Sequence, residues 1–274
     1  MRKEILCFGM MMCITIVRGQ QPVGGLGYFQ QVAEAYPLNH CSVSGASRQP
    51  AALGVFDRPG ALIRCRKFFF KESPPEILIA FVFPVSSGSF IATLDHFQLA
   101  NFRQMQAGFG YGMKLAPGVT GGLKINFFKS AAGIYTSKPL FPVEIGVSYA
   151  INAAFTTGLT FCNIIPFTKN NSRPRLPAII TVTWAYSFSE YLSSVFQMAW
   201  MDRSGMIISP GFKLFLNEKM NFYFGYSSQV KSFNGTAGYR LKGFNLSLSV
   251  QWHSSLGMMN TVELGWSGKS QGKK

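Results

Sequence analysis

The chain has 274 residues, of which 47% are hydrophobic, 15% aromatic and only 14% charged, with a formal net charge of +15. Soluble proteins average about 25% charged residues, so this chain has too little charge to cover an ordinary soluble surface. No window supplies the roughly 20 uninterrupted apolar residues of a spanning helix, which argues against a helical membrane protein and leaves an apolar content spread over short segments.

The N-terminal stretch MRKEILCFGMMMCITIVRG begins with Arg2 and Lys3, continues through an apolar run from Ile5 to Val17, and ends at Gly19. Positive charge, apolar core and small residue make the pattern of a secretory signal, so residues 1–19 are read as a signal peptide cleaved after Gly19. The alternative, a retained anchor, is disfavoured because the run is short for a span. Cys13 follows Met10, Met11 and Met12, which lack the small residues of a lipid-modified site. Losing Arg2, Lys3, Arg18 and Glu4 leaves 23 basic and 10 acidic residues, a net charge of +13. On an exported chain this excess points away from nucleic acid and toward anionic lipid and lipopolysaccharide phosphates. Cys41, Cys65 and Cys162 remain, with no short spacing for a metal site or a disulfide framework. A Cys41–Cys65 bridge and separate buried thiols are both open, the second being preferred.

Residues 20–60 are turn-rich and show no long alternation. Two readings compete: a segment entering a barrel lumen as a plug, and a flexible periplasmic leader. Leu53, Val55, Phe56 and Leu62 are too apolar for a solvated tail, which favours the plug.

From Ala61 onward, apolar residues recur every second position. Met105, Ala107, Phe109, Tyr111, Met113 and Leu115 share one face of a segment whose other face is Gln104, Gln106, Gly108, Gly110, Gly112 and Lys114. Strand side chains alternate between faces, so each such run is a strand with one greasy side. Roughly 14 segments are predicted, near 61–70, 76–85, 88–97, 103–115, 118–128, 141–151, 154–163, 177–188, 191–201, 206–216, 219–229, 232–241, 243–253 and 257–266. Their length, about 10 residues, is what a tilted strand needs to cross a bilayer.

The connections sort by parity. The gaps Ser86-Ser87, Ala116-Pro117, Asn152-Ala153, Ser189-Glu190, Asn217-Glu218 and Lys242 follow even-numbered segments and are short. The long gaps 129–140 and 164–176 follow odd-numbered ones. Short turns at one end and long loops at the other are the asymmetry of outer-membrane barrels, whereas a soluble sandwich has no reason to sort its loops. The expectation is an all-β protein: a transmembrane antiparallel barrel of about 14 strands over 61–266 in a Gram-negative-type outer membrane, with the plug over 20–60 and a basic disordered tail over 267–274. Tyr149, Trp184, Tyr186, Trp200 and Trp266 lie near segment ends on the apolar face, where interfacial girdles form.

The inward faces carry Lys114, Lys124, Glu144, Lys213, Arg240 and Glu263. Such charges either tune solute passage or pair across a closed lumen, since unpaired buried charge is costly. Pairing is preferred, with Arg240 and Glu263 as one candidate couple. Lys129, Lys138, Lys169, Arg173 and Arg175 fall in the loops, for lipopolysaccharide, an acidic partner or plain solvent. No catalytic constellation stands out. His40, His96 and His253 are far apart and lack metal-ligand spacing, Ser42-Val43-Ser44-Gly45 lacks the nucleophile-elbow frame, and His253 beside Ser254 and Ser255 reads better as a hairpin cap. No enzyme activity, cofactor or metal is expected.

Three stretches carry a family resemblance. AALGVFDRPGALIRC resembles the N-terminal hatch of FadL-like barrels, especially the PorV/PorQ-type proteins of type IX secretion. Asp57, Arg58, Pro59 and Gly60 stand where that motif usually has Asn-Pro-Ala-Gly. AGFGYGMKLAPGVTGGLKINFF and GFNLSLSVQWHSSLGMMNTVELGW are similar to two hairpins of the same group. The resemblance implies a 14-stranded plugged barrel without enzymatic activity, and protein partners in a type IX secretion or surface-attachment machine. A FadL-like channel for hydrophobic small molecules is the alternative. An accessory subunit of another complex, such as barrel assembly, is a third. The departure at Asp57-Arg58 weakens transfer of a hatch mechanism.

Overall fold

The computed structural model describes residues 42–67, 74–99, 101–133, 135–163, 176–202, 205–228, 231–253 and 257–268. The expected signal peptide, the expected plug from residue 20 through His40 and Cys41, the loop residues Lys169, Arg173 and Arg175, Ser254 and Ser255, and the last six residues of the basic tail lie outside the described residues.

The described strands are β1 (Gly60–Lys67), β2 (Glu76–Val85), β3 (Gly88–Leu99), β4 (Phe102–Ala116), β5 (Val119–Ala132), β6 (Val143–Ala150) and β7 (Phe155–Cys162). They continue as β8 (Ile179–Ser187), β9 (Leu192–Met201), β10 (Gly205–Phe215), β11 (Met220–Ser227), β12 (Ser232–Leu241), β13 (Phe244–His253) and β14 (Gly257–Ser267). A two-residue strand, Tyr135–Thr136, pairs only with the end of β5. Each long strand pairs antiparallel with its chain neighbours. β1 closes the ring on β14, from Gly60 opposite Ser267 to Lys67 opposite Asn260. All 14 strands sit where the alternation places them, with ends shifted by a few residues.

Closure leaves no sheet edge unpaired, which a bilayer demands of any sheet. The period-two pattern decides which face meets lipid. Phe109, Ile125, Phe212, Phe224 and Leu248 stand outward and uncovered, Phe109 at 59% exposure. Soluble monomers rarely show a contiguous apolar patch above a few hundred Å²; here the outer wall is such a surface, and lipid is the solvent that suits it. Outward aromatics reinforce one another across strands, as in the Phe90–Phe109 stack at 5.6 Å. Tyr149, Tyr186, Trp200 and Trp266 are outward and exposed near strand ends. Trp184 departs from the expected girdle: it lies within β8 and packs against Phe196, 5.6 Å between ring centroids.

The short turns have local causes. Asn152 Oδ1 accepts from the Phe155 N–H at 2.8 Å, and Asn217 Oδ1 accepts from the Met220 N–H at 2.8 Å. Ser189 Oγ accepts from the Leu192 N–H at 3.2 Å. These are the side-chain-to-backbone bonds that make Asn and Ser turn residues. Lys242 and Gly243 both have positive φ, 42° and 92°, as the twist of a two-residue hairpin requires. The turn placed at Ala116-Pro117 falls one residue later. A register shift between Lys114 and Ala116 extends β4, and Pro117-Gly118 makes the turn.

The cysteine expectation is corrected in one respect. Cys65 is a free thiol exposed on the outer face of β1, not a buried one, because the alternation that turns Arg64 and Arg66 inward turns Cys65 out. Cys162 is a half-buried thiol.

Candidate functional site

The candidate site is the lumen with the chain segment seated in it. α1 (Val43–Arg48) is a short helix whose N-cap Ser42 accepts from the Gly45 N–H. A 3₁₀ turn, Pro50–Val55, follows it. A six-residue helix has too few internal hydrogen bonds to persist alone; its environment holds it. Val43, Ala46 and Leu53 pack with Leu62, Leu78, Ala80, Val82 and Ile91 of the inner wall of β1–β3. Full burial of a side chain such as Leu53 contributes about 1.5–3 kcal/mol.

On the β4–β6 side the seat is made of glycine. A Cβ on Gly112 would lie 2.6 Å from the Leu53 Cβ, and one on Gly146 would lie 3.1 Å from the Ala51 nitrogen. Gly122 faces the Pro50 carbonyl more tightly still. The glycines on the inner face of the β4–β5 hairpin therefore admit backbone at van der Waals contact, a use that side chains forbid.

Polar bonds fix the segment at two further points. Arg64 Nε donates to Glu263 Oε2 at 3.0 Å, Arg64 Nη2 donates to Ser44 Oγ at 2.6 Å, and Ser44 Oγ donates to the same Glu263 oxygen at 3.0 Å. Lys124 Nζ donates to the Ser47 carbonyl at 2.8 Å and lies 3.7 Å from Glu144 Oε1. Asn126 Nδ2 donates to that same carboxylate oxygen at 2.7 Å. A third couple, Arg66 with Glu76 at 3.9 Å, lies toward the long-loop end. Each couple joins residues opposite each other on neighbouring strands.

The charged residues singled out in the sequence thus divide. Lys124, Glu144 and Glu263 are inward and paired. Glu263 takes Arg64 as its partner, not the expected Arg240, because ring closure sets β1 directly beside β14. Lys213 is inward and half-buried, with its ammonium 5.0 Å from the centre of the Phe215 ring. Arg240 is on the inward side of β12 and exposed. Lys114 is exposed at the β4 register shift rather than buried in the lumen. Asp57, Arg58 and Pro59 form the exposed to half-exposed junction between the seated segment and the wall, and Gly60 opens β1. Arg58 pairs with Asp57 at 3.2 Å, both about half exposed. Arg64, Arg66, Glu76 and Asp95, all buried, were missed by sequence reasoning. The signal was present: Arg64 and Arg66 share the Leu62 face, opposite Ile63 and Cys65.

His96 is exposed on β3, and His253 lies half-buried at the end of β13. Among the described residues no group of three His, Cys, Asp or Glu side chains could hold a metal ion. No described helix is long and apolar enough to cross a membrane; the strands are.

A closed antiparallel barrel with an apolar outer belt and a charged, partly filled interior is a transmembrane barrel of the outer-membrane type. Two solved structures specify the fold further. The chain is similar to a FadL homologue of Pseudomonas aeruginosa, with a TM-score of 0.62 and 10% identity, covering 86% of this chain and 95% of that one. It is equally similar to the toluene transporter TodX of P. putida, with a TM-score of 0.62 and 10% identity, covering 86% of this chain and 99% of that one. No family model and no curated protein matches the chain. At this identity the likeness is one of fold: the barrel is FadL-like.

Proposed function

We propose that the protein is a non-enzymatic outer-membrane channel for small hydrophobic molecules, exported by a cleaved signal peptide over residues 1–19. The observation that carries this reading is the inner wall of β1–β3. Leu62, Leu78, Ala80, Val82 and Ile91 turn inward and hold the seated segment through Val43, Ala46 and Leu53, so this side of the lumen is filled by an apolar contact rather than by the water of a porin-type channel. The FadL-like fold supports it, since one of the similar structures is a toluene transporter. In this reading residues 20–60 are the plug, and Lys138 in the long loop after β5 meets lipopolysaccharide, as does Lys129, which lies near the outer end of β5 rather than in the loop where it was expected.

The test is uptake. The protein is expressed in the outer membrane of a host stripped of its own hydrophobic-compound channels, and entry of radiolabelled toluene is followed. Faster entry than in cells carrying an empty vector is expected. Unchanged entry with a fully folded barrel in the membrane would count against the channel.

A second reading, a subunit for type IX secretion or surface attachment, is favoured by the two hairpin resemblances and the hatch-like AALGVFDRPGALIRC. Purification in mild detergent separates the two. Co-purifying machine subunits support secretion; a lone barrel carrying lipid supports the channel. The same experiment weighs an accessory role in barrel assembly.

A further inference from the structure

The lumen is not equally full on all sides. The seated segment packs on β1–β6. On β11–β13 the inward side chains nearer the short turns, Asn221, Thr236 and Ser249 among them, stay half-exposed. Toward the long-loop end of the same arc the inward residues are closed in: Ile207, Ser209, Ser227, Ser232 and Met259 are each 3% exposed or less. The free space therefore opens at the end that carries the short turns, which is the periplasmic end of an outer-membrane barrel.

In this space the Tyr223 ring lies flat on the wall. A Cβ on Gly211 would stand 2.7 Å from its Cε2, and one on Gly225 would stand 3.0 Å from its Cε1. Gly211 and Gly225 face each other on β10 and β11. The width of the ring thus runs from strand to strand and its length runs along β11, so its plane follows the wall and one π-face looks into the lumen. A side chain at either glycine would lift the ring off the wall. The groups beside that face are polar and neutral. Thr236 and Ser249 lie level with Tyr223 on β12 and β13. Thr236 Oγ1 donates to Ser249 Oγ at 2.8 Å, which leaves the Ser249 O–H to donate elsewhere. Asn234 stands opposite Gly225, beside the ring tip, and its Oδ1 is buried with no hydrogen-bond partner. Asn221 leans over Gly238 on the periplasmic side of the ring. Lys213 is level with Tyr223 on β10, but its ammonium lies 5.0 Å from the centre of the Phe215 ring.

We propose that Tyr223 is the stacking platform of a binding site for a neutral sugar ring, entered from the periplasmic end. A sugar ring has an apolar face of C–H groups and a rim of hydroxyls. The face suits the negative π-surface of an aromatic ring. Each rim hydroxyl both donates and accepts, so it serves an Asn234 oxygen that needs a donor and a Ser249 hydroxyl that needs an acceptor. A hydrocarbon would cover the same ring and leave those groups unmatched. The site goes beyond hydrophobic passage, whose apolar contact lies elsewhere on the wall, at β1–β3.

Purified full-length protein in lauryldimethylamine oxide, a detergent without a sugar headgroup, is titrated calorimetrically with glucose, with N-acetylglucosamine and with sorbitol, which carries hydroxyls but no ring. Saturable binding of at least one of the two sugars is expected, with sorbitol about tenfold weaker or more. Tyr223→Ala weakens sugar binding about tenfold or more, Asn234→Ala about fivefold, and Tyr223→Phe less than about threefold. Lys138→Gln, in the loop after β5, leaves it unchanged. Heat-dependent gel mobility shows which variants fold, and Asn234→Ala decides if Tyr223→Ala does not. No saturable binding of either sugar, sorbitol binding as tight as sugar, or sugar binding untouched by the Tyr223→Ala and Asn234→Ala substitutions overturns the proposal. Toluene entry is read in a separate assay, so the sugar site and the hydrophobic channel can fail independently.

Discussion

Lys124 offers the sharpest test of how the inner segment is held. Lys124 and Glu144 are each only 2% exposed. Replacing Lys124 with Met keeps the length of the side chain and removes its charge. Glu144 then retains the Asn126 amide at 2.7 Å as its donor, and the Ser47 carbonyl loses its bond to Nζ. An uncompensated buried carboxylate costs about 3–5 kcal/mol, and the orphaned carbonyl lies within that sum because it shares the same lost donor. Removing both charges, as Lys124→Met with Glu144→Leu, eliminates the uncompensated group. The double variant is therefore more stable than Lys124→Met alone, with a coupling of about 2 kcal/mol or more. The assay is reversible urea unfolding of the barrel in lipid vesicles, followed by tryptophan fluorescence. A single variant within about 1 kcal/mol of wild type, or strictly additive effects, would show that Lys124 and Glu144 do not depend on each other.

Phe109→Arg, at the middle of β4 on the lipid face, destabilises the folded barrel by about 2–4 kcal/mol, and Met113→Arg nearer the membrane edge costs less, read by the same unfolding curves. Asp57→Ala changes stability by less than about 1 kcal/mol, because its pair with Arg58 is half exposed and screened. Gly243→Val, at φ 92°, costs about 1–3 kcal/mol and Gly243→Asn less, since a β-branched residue is strained there.

The fold was legible because a membrane barrel writes itself locally. Lipid on one side and a polar lumen on the other force strict alternation, as in Met105 to Leu115, and each tight turn carries its own Asn, Ser or Gly. Register between strands is not written that way. Lys124 and Glu144 were recognised as inward, but their partnership depends on the stagger of β5 against β6. Glu263 was matched with Arg240 because ring closure pairs residues 199 positions apart, Arg64 with Glu263. The turn at Pro117-Gly118 was displaced by a bulge that leaves the alternation of β4 intact until Lys114. Trp184 was read as interfacial from its neighbours, yet its depth along β8 depends on strand tilt. The plug reading of residues 20–60 rested on a few apolar side chains. Its described part, from Ser42 onward, packs against glycines on three strands, a three-dimensional complementarity that no single stretch displays.

The seat of the inner segment is the claim on which the rest depends, and one disulfide examines it. A Cβ on Gly146 would stand 3.4 Å from the Ala51 Cβ, close to the separation of about 3.5–4.5 Å found in disulfides. In a background with the native cysteines replaced by serine, Ala51→Cys with Gly146→Cys is oxidised mildly in membranes, and free thiols are counted with a maleimide. A cross-link forms in the folded barrel, with both thiols lost together, if the segment is seated against β6. Two thiols that both stay open to the reagent in a folded barrel would contradict that seating.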